Sequence, residues 1–509
     1  MGRLGLQQAV DDLCMNNEHI SSLREKNQPL YGFYDSEIYA SLLRGCIGLQ
    51  ACKKFHGYML KTGFKIGYVK LGNVECSRQL FDKMPQRNLV SWNTMISGFS
   101  GKEGVEFFCR MQRAGVKPDR LCIVGVLNAC ASVGVEAQEQ GKQVHGYAIT
   151  NGLVFCNSIV SNALIDMYGK CERIDDARRV FDTMPHHDVV SWTAIIKGYV
   201  QLGEVEIARE LFNNTLERNI VTWNTLMAGY AQQGYGEDTL ILFGKMLRQD
   251  VKPDHFTFVS VLSACAGLAV LECGRQVHCQ ITRTGHDVTI FLGNALVDMY
   301  AKCGSTVNAH NLFDRMLERD VVSWNAMMVG YAQNGYGKEA LQLFEKMLDA
   351  GLKPDEITFM CILSACSHTG LVDEGHYYFS SMSHRYSVTP RAGHYAIMID
   401  ILGRAGRMDE AEHLIDNAPF EPDASMWRAL LGVCRIRGNA GVAKRAAECL
   451  SMLEPQSASQ YVVLSNLYAA DKMWNRMAEV RKLMRERRVK KMPGCSWIEV
   501  KNRVTAFIA

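Results

Sequence analysis

The sequence predicts an all-α fold, an α-solenoid superhelix of stacked helix-turn-helix hairpins. Short motifs recur along the chain in a fixed order, and the residues between them place apolar side chains at helical spacing. Each predicted hairpin has an apolar side that it cannot bury alone. Stacked neighbours complete the core, and the stack encloses a long concave groove.

Three motifs mark the repeating units. Tryptophans Trp192 and Trp223, each after Ser or Thr, lie 31 residues apart, about the length of one hairpin. A Lys-Pro-Asp motif closes the longer units, and an Asn-Ala-Leu motif opens units that lack the tryptophan. The occurrences are Ser91-Trp92-Asn93, Ser191-Trp192-Thr193, Thr222-Trp223-Asn224, Ser323-Trp324-Asn325, Lys117-Pro118-Asp119, Lys252-Pro253-Asp254, Lys353-Pro354-Asp355, Asn162-Ala163-Leu164 and Asn294-Ala295-Leu296.

Residues 321–355 illustrate the local structure expected of one unit. Ser323 is predicted as the N-cap of a helix that begins at Trp324. A second apolar-periodic stretch ends at Gly351, a residue suited to the position after a helix, and Pro354 prevents its continuation. Each unit is therefore predicted to be a pair of antiparallel helices.

Composition limits the classes of partner. The 509 residues carry a formal net charge of only +3, whereas proteins that wrap nucleic-acid duplexes are usually far more basic. The charge fits either protein binding or RNA binding in which the bases carry much of the recognition. No run of about 18 consecutive apolar residues occurs, so no membrane association is expected.

The 18 cysteines favour core packing over metal or disulfide chemistry. Neither a C-x-x-C nor an H-x-E motif occurs, so no metal and no cofactor are predicted. Reduced thiols indicate an intracellular or organellar compartment. The cysteines recur in equivalent contexts: Ala129-Cys130, Ala264-Cys265, Ala365-Cys366, Lys170-Cys171 and Lys302-Cys303.

Residues 321–355, which run Val-Val-Ser-Trp-Asn-Ala-Met…Gly-Tyr-Ala-Gln-Asn-Gly…Lys-Pro-Asp, resemble a pentatricopeptide-repeat (PPR) unit. The Trp-x-x-Leu-Gly-x-x-Tyr opening of the related tetratricopeptide repeat is absent. The mixed unit lengths resemble the plant PLS subclass, in which P-type, long and short units alternate. The resemblance covers roughly residues 37–509.

The resemblance divides the chain into three parts. Residues 1–36 form a poorly defined N-terminal segment without an evident transit peptide, 37–423 form the PPR array, and 424–509 resemble the E domain. The E domain is expected to continue the solenoid with helical hairpins. Within the array, the predicted units are 37–67 (long), 68–88 (remnant of a short unit), 89–119 (P), 120–157 (long), 158–188 and 189–219 (short), 220–254 (P), 255–289 (long), 290–320 (short), 321–355 (P), 356–391 (long) and 392–423 (short).

In this family one unit faces one RNA base. The resemblance implies that the fifth and last residues of P-type and short units contact the base edge, and that an apolar second residue sandwiches the base. The implied base-reading pairs are Asn93 with Asp119, Asn162 with Asp188, Thr193 with Asn219, Asn224 with Asp254, Asn294 with Asp320, and Asn325 with Asp355. The implied base-sandwiching residues are Val90, Val190, Val221 and Val322.

The family code pairs Asn–Asp with uridine and Thr–Asn with adenosine. Long units are less well coded. These rules imply a target of the form Y-n-Y-A-Y-n-Y-Y, a few nucleotides upstream of an edited cytidine. A structural alternative stays open, because Asn in a first helical turn and Asp after Pro are also common capping and turn residues.

The family's editing enzymes carry a C-terminal DYW deaminase domain, which requires the H-x-E and C-x-x-C motifs. The sequence therefore predicts no enzyme. It predicts an RNA-binding factor for single-stranded organellar RNA that selects sites for cytidine-to-uridine editing and recruits a deaminase in trans through the E domain. The expected location is the mitochondrion, with the chloroplast as the alternative. Other possibilities are a PPR protein for transcript stability, processing or splicing, and a protein-binding scaffold.

A basic run near the C-terminus has two interpretations. It could attract RNA phosphate near the edited base, or it could be a solvated helix face. The run comprises Arg481, Lys482, Arg485, Arg487, Arg488, Lys490 and Lys491.

Overall fold

The computed structural model describes Arg78, Phe81, Asp82, Met84 and residues 87–99, 101–154, 158–285, 289–489, 495–500 and 503–508. The predicted units 37–67 and, for the most part, 68–88 lie outside these residues, as does the N-terminal segment. The chain divides into two compact units, Met1–Glu217 and Arg218–Ala509.

The described part of the first compact unit consists of helical hairpins. The first helices of successive hairpins (α1, α3, α5 and α7) pack side by side, and each second helix packs against its own first helix. A short 3-10 turn, Gly134–Ala137, joins α3 to α4. The helices are α1 Leu89–Gly98, α2 Lys102–Arg113, α3 Arg120–Val133, α4 Gln138–Thr150, α5 Ser158–Lys170, α6 Ile174–Thr183, α7 Val189–Gln201 and α8 Val205–Asn214.

The second compact unit repeats this arrangement. Its first helices, the odd-numbered ones, also form a continuous row of neighbours. The helices are α9 Ile220–Gln232, α10 Gly236–Arg248, α11 His255–Leu268, α12 Leu271–Arg283, α13 Ile290–Lys302, α14 Thr306–Arg315, α15 Val321–Gln333, α16 Gly337–Asp349, α17 Glu356–Thr369, α18 Val372–Tyr386, α19 Ala392–Arg404, α20 Met408–Asp416, α21 Ala424–Arg437, α22 Ala440–Leu453, α23 Ser459–Ala470 and α24 Trp474–Glu486.

Helix starts follow the predicted unit boundaries. From α1 at Leu89 to α21 at Ala424, every first helix begins at the first residue predicted for its unit. The α-solenoid fold is confirmed, because both compact units are rows of stacked helical hairpins. The division between array and E domain at residue 424 stays a prediction.

The predicted N-cap of residues 321–355 was wrong. Asp320, not Ser323, caps the helix: its carboxylate accepts the N–H of Ser323 at 2.9 Å, and the Ser323 hydroxyl faces the N–H of Asp320. This is a capping box, in which the two side chains satisfy each other's backbone. The helix therefore begins three residues earlier, at Val321.

The predicted helix end at Gly351 is confirmed. Gly351 has a φ of +77°, which is left-handed and favours glycine. Its N–H donates to Leu348 and the N–H of Leu352 donates to Met347, the two bonds of a Schellman motif. These bonds satisfy two of the last free carbonyls of α16.

Side chains of the repeated motifs form the core. Trp92, Trp223 and Trp324 are buried, so these tryptophans pack in the core. The cysteines of the Ala-Cys contexts, Cys130, Cys265 and Cys366, are also buried, as predicted for small apolar residues.

One segment of the described chain, Arg120–Thr150, is long and apolar enough by length and composition to cross a membrane, with a mean hydropathy of 1.5. It consists of two helices, α3 and α4, that pack against each other. Gly134, at a φ of +76°, ends α3. Half of its most apolar stretch is buried in the protein. The high hydropathy is therefore that of a helical hairpin in the core.

The C-terminal region departs from the helical expectation. Its helices α21–α24 form two hairpins, but β1 Cys495–Val500 and β2 Arg503–Ile508 pair in an antiparallel hairpin. The register places Cys495 opposite Ile508 and Val500 opposite Arg503. Aromatic and β-branched residues are frequent in both segments, and such residues favour strands.

Candidate nucleic-acid interface

The structure brings together five of the six predicted base-reading pairs. In each pair the asparagine side chain of one hairpin donates from Nδ2 to the aspartate carboxylate at the start of the next hairpin. The nitrogen–oxygen distances are 3.2 Å for Asn93–Asp119, 3.2 Å for Asn162–Asp188, 2.9 Å for Asn224–Asp254, 3.4 Å for Asn294–Asp320 and 3.3 Å for Asn325–Asp355.

The sixth pair is divided between the two compact units. The Thr193 hydroxyl, in the first compact unit, donates to the carbonyl of Val189 at 2.7 Å. Asn219, in the second compact unit, caps α9 by accepting the N–H of Thr222 at 3.0 Å. Each residue occupies the helix position predicted for it.

Helix capping positions the aspartates. Each is the N-cap of the following first helix and accepts a backbone N–H from the third helical residue. The accepted N–H groups are those of Cys122, Ser191, Thr257, Ser323 and Thr358, at 2.8–2.9 Å. The capping interpretation of these residues and the base-reading interpretation are therefore compatible, because one carboxylate contacts both the helix end and the asparagine.

These contacts keep four of the carboxylates ionised. Burial raises the pKa of each carboxyl, but hydrogen bonds from the backbone, the Ser, Thr or Cys side chain of the first turn and the asparagine amide outweigh burial. The net effect lowers the pKa of each below its ordinary value. The four are Asp119, Asp188, Asp254 and Asp320.

The aspartates fix how the asparagine amides face. Turning an amide over would place its oxygen against a carboxylate, which is repulsive, so Nδ2 stays toward the aspartate. An amide nitrogen carries two hydrogens, and the aspartate uses one. In Asn162, Asn294 and Asn325, Oδ1 is buried without a hydrogen-bond partner among the described residues. The second Nδ2 hydrogen is therefore the donor suited to a base edge.

Two pairs involve a third residue. The hydroxyl of Thr257 lies 2.7 Å from Oδ1 of Asn224, and the thiol of Cys122 contacts Oδ1 of Asn93. In both cases the residue is the third of a long unit's first helix. This contact adds a second restraint on the orientation of the amide.

The predicted base-sandwiching valines are exposed. Val90, Val190, Val221 and Val322 have 53–59% of their surface accessible although they are apolar residues in the first turn of a helix. Because they precede the fifth residue by three positions, they lie on the same helix face as the base-reading residue. A flat base that contacts the fifth residue would therefore lie against them.

Five further exposed apolar residues were missed in the sequence. All occupy the second position of a first helix, the position of the four valines, and their exposed fractions range from 54% to 77%. That shared position is the signal that could have identified them. They are Leu121, Ile159, Phe256, Phe291 and Ile357.

The geometry forms a slot between consecutive first helices. In the pair Asn294–Asp320, Phe291 lies one helical turn before the asparagine, and Val322 lies two residues after the aspartate. Each member of the polar pair thus has an exposed apolar residue two or three positions away on its helix. Such a slot suits a planar aromatic ring whose polar edge meets the amide and whose faces meet hydrocarbon.

Long units lack the polar side chain of this slot. Their fifth residues are Val124, Val259 and Met360, which offer no hydrogen bond to a base edge. Their second residues are nevertheless exposed. A long unit could therefore hold a base without selecting it, in agreement with the weaker coding expected of long units.

The basic run is partly engaged within the protein. Arg481 donates to the Ser465 hydroxyl at 2.9 Å, and Arg487 donates to the Tyr461 hydroxyl at 2.8 Å. Lys482 lies 3.8 Å from Glu486. Lys490 and Lys491 lie outside the described residues. The described cations are exposed on α24 and just beyond it, where water screens them.

The described part of the chain has no cluster of Asp, Glu, His and Cys side chains of the kind that binds metal ions. No group of three or more of these side chains is placed to hold an ion there.

Sequence comparisons identify the repeats. The family described as PPR repeat matches residues 66–89, 90–116, 159–189, 190–220, 294–321, 357–386 and 394–417. The family described as PPR repeat family matches residues 218–267 and 319–368. The E motif matches residues 438–499.

Similar proteins come from Arabidopsis thaliana. Pentatricopeptide repeat-containing protein At2g13600 is 45% identical over 493 residues, with 92% of this chain and 70% of that protein covered. Pentatricopeptide repeat-containing protein At2g03880, mitochondrial, is 39% identical, with 93% and 72% covered. Pentatricopeptide repeat-containing protein CRR2, chloroplastic, is 37% identical, with 100% and 75% covered.

Among solved structures, the pentatricopeptide repeat protein PPR10 from maize aligns with 84% of this chain and 74% of its own, at 18% identity and a TM-score of 0.47. The repeat matches and the relatives at 37–45% identity agree with the row of helical hairpins. The chain belongs to the pentatricopeptide repeat family and carries an E motif after its repeats.

Proposed function

We propose that this protein binds one stretch of single-stranded RNA, one nucleotide per unit, and thereby selects a site for cytidine-to-uridine editing in an organelle. The observation that carries the proposal is the recurring Asn–Asp contact with exposed apolar side chains on both sides of it. The contact recurs in register in five places, which isolated capping residues would not require.

The pairs define the sequence to be bound. In chain order the P-type and short units give Y-n-Y-A-Y-n-Y-Y, with uridine favoured by the Asn–Asp pairs and adenosine by Thr193 with Asn219. The two unspecified nucleotides face the long units 120–157 and 255–289. The net charge of +3 supports a mode in which base contacts supply much of the affinity.

The E motif supports the editing role. We propose further that a deaminase acts in trans and is recruited through residues 424–509, which contain the E motif. The relatives named mitochondrial and chloroplastic support an organellar location. We place the protein in the mitochondrion, with the chloroplast as the alternative.

A gel-shift series tests RNA recognition. The probes are an RNA with the Y-n-Y-A-Y-n-Y-Y sequence and a scrambled RNA of the same composition, at one fixed salt concentration, since affinity depends on salt. We expect at least about tenfold tighter binding to the ordered sequence, a difference of about 1.4 kcal/mol. Equal affinity for the two probes contradicts base recognition.

Sequencing of organellar RNA from a loss-of-function line tests the editing role. We expect one or a few sites to lose cytidine-to-uridine conversion, each a few nucleotides downstream of a matching sequence. Intact editing together with altered transcript ends or unspliced transcripts would instead indicate a role in transcript processing or stability.

A further inference from the structure

The residue just before the base-reading aspartate of a short unit makes a specific contact with the preceding helix. Arg319, between α14 and α15, donates from Nε to the carbonyl of Phe313 at 2.8 Å and from Nη2 to the carbonyl of Asp314 at 2.6 Å. Its guanidinium also lies 4.8 Å from the centre of the Phe313 ring. Arg319 thus holds the loop that ends in Asp320 against the end of α14. We call this contact the loop clamp.

The loop clamp recurs in the first compact unit. Arg87, before Asn88, donates to the carbonyls of Phe81 at 3.1 Å and Asp82 at 2.9 Å, and its guanidinium lies 5.2 Å from the Phe81 ring. An arginine makes two hydrogen bonds here because its guanidinium carries donors in a fixed fork.

A histidine forms the clamp at a third unit end. His187, before Asp188, bonds through Nε2 to the carbonyl of Phe181 at 2.8 Å, and the two rings lie 4.1 Å apart. The carbonyl can only accept, so Nε2 carries the hydrogen. Histidine therefore supplies the same contact with one hydrogen bond where arginine supplies two.

The clamped phenylalanine also contacts the next first helix. Phe313 packs edge-on against Trp324 at 5.0 Å, and Trp324 directly precedes the base-reading Asn325. The same edge contact joins Phe181 to Trp192 at 4.9 Å. The clamp therefore links the second helix of one unit, the loop with the base-reading residue, and the first helix of the next unit.

P-type units restrain the same position differently. Their base-reading aspartates follow a proline: Pro118, Pro253 or Pro354. The proline ring fixes φ near −65° and limits the preceding residue, so the backbone itself positions the aspartate. The short units that end at residues 88, 188, 219 and 320 have Arg or His there and lack this covalent restraint, whereas the final short unit, 392–423, has Pro422.

We propose that Arg319 and His187 are positioning residues that set the base selectivity of the pairs Asn294–Asp320 and Asn162–Asp188. This inference rests on the proposed function. Arg319 does not contact the base; it holds the Asp320 carboxylate where that carboxylate can orient the Asn294 amide. Without the clamp, the aspartate still caps its helix, but the loop that carries it is less restrained and the amide is free to turn over.

The test compares base discrimination at two nucleotides in one protein. Full-length wild type and Arg319→Ala are titrated with the Y-n-Y-A-Y-n-Y-Y RNA and with two variants, each with one uridine replaced by cytidine. One replacement faces Asn294–Asp320 and the other faces Asn325–Asp355, whose aspartate follows Pro354. We expect Arg319→Ala to reduce discrimination about tenfold at the first nucleotide and to leave the second unchanged.

A conservative variant distinguishes loss of positioning from general destabilisation of the protein. Arg319→His restores the clamp found at His187 and should recover part of the discrimination, with a melting temperature close to that of wild type. Unchanged discrimination in Arg319→Ala, or an equal loss at both nucleotides, overturns the positioning role while the proposed function stands. A wild-type protein that discriminates at neither nucleotide overturns both.

Discussion

Asn224 and Asp254 belong to consecutive hairpins of the second compact unit. Nδ2 of Asn224 donates to Oδ1 of Asp254 at 2.9 Å. Oδ1 of the same aspartate also accepts the N–H of Thr257, which begins the capping of α11. One carboxylate thereby contacts both the start of a helix and the asparagine that is proposed to read a base. The two functions can be separated experimentally, because they depend on different properties of the side chain.

Replacing Asp254 distinguishes its two contacts. Asp254→Ala removes the N-cap and should lower the free energy of unfolding by about 1 kcal/mol. Asp254→Asn keeps a capping oxygen and should retain most of the stability, but it loses the charge that holds the Asn224 amide. Urea unfolding measures the first effect, and RNA titration with uridine or cytidine opposite this pair measures the second. If Asp254→Ala and Asp254→Asn both lost discrimination between uridine and cytidine while both kept the stability of wild type, the capping role would be contradicted.

Thr257 is expected to support both stability and selectivity. Thr257→Val keeps the shape of this buried residue but removes the hydroxyl that contacts Asn224 and the N–H of Asp254. Buried polar groups left without partners should cost about 1–3 kcal/mol of unfolding free energy. Thr257→Ser is the matched control and should behave like wild type. Equal stability of the Val and Ser variants would show that the hydroxyl contributes nothing.

Phe291 is expected to matter for RNA binding and not for folding. It is 77% exposed, so Phe291→Ala should change the free energy of unfolding by less than about 0.5 kcal/mol. Loss of a stacked base should weaken RNA binding by about 1–3 kcal/mol. Leu317→Ala is the control, since Leu317 is a fully exposed apolar residue in a loop outside the slot. Gel shifts that show the same affinity for both variants would exclude Phe291 from the interface.

Acid should destabilise the first turns of the helices that four aspartates cap. The pKa values of Asp119, Asp188, Asp254 and Asp320 are lowered in the folded protein, so the unfolded chain binds more protons at acidic pH. Their contribution to stability is present above the ordinary aspartate pKa of about 3.9 and is lost as pH falls through the folded values. Urea unfolding between pH 3 and 6 should show a shallower pH slope for Asp254→Asn than for wild type. Parallel slopes would contradict this linkage.

The hairpins could be predicted because local and global signals coincide. Cap-forming residues, apolar periodicity and glycines recur at the same intervals, so unit starts such as Ile220 and helix ends such as Gly351 follow from the sequence. The N-cap itself was ambiguous, because Asp320 and Ser323 are both cap formers three residues apart. Only the geometry shows that they act together.

Other features depend on contacts between units. Exposure of Phe291 and Phe256 contradicts the usual burial of phenylalanine and depends on which helix face the next unit leaves open. The orientation of the Asn224 amide depends on Thr257, which is 33 residues away in sequence. The strands 495–500 and 503–508 were not predicted, because the resemblance to the E domain implied helical hairpins, although residues that favour strands are frequent in both segments.

The residues proposed to read bases at the ends of units also start the next helix. Where the last residue of a unit is described, its side-chain oxygen caps the next helix. Arg391 is the exception, because its N–H is accepted by His394 instead. Good caps are few: Asp, Asn, Ser and Thr. Under the proposed function, a mutation at this position can change the preferred nucleotide only among residues that also cap a helix. The same restriction to helix-capping residues applies when such arrays are redesigned for a new RNA sequence.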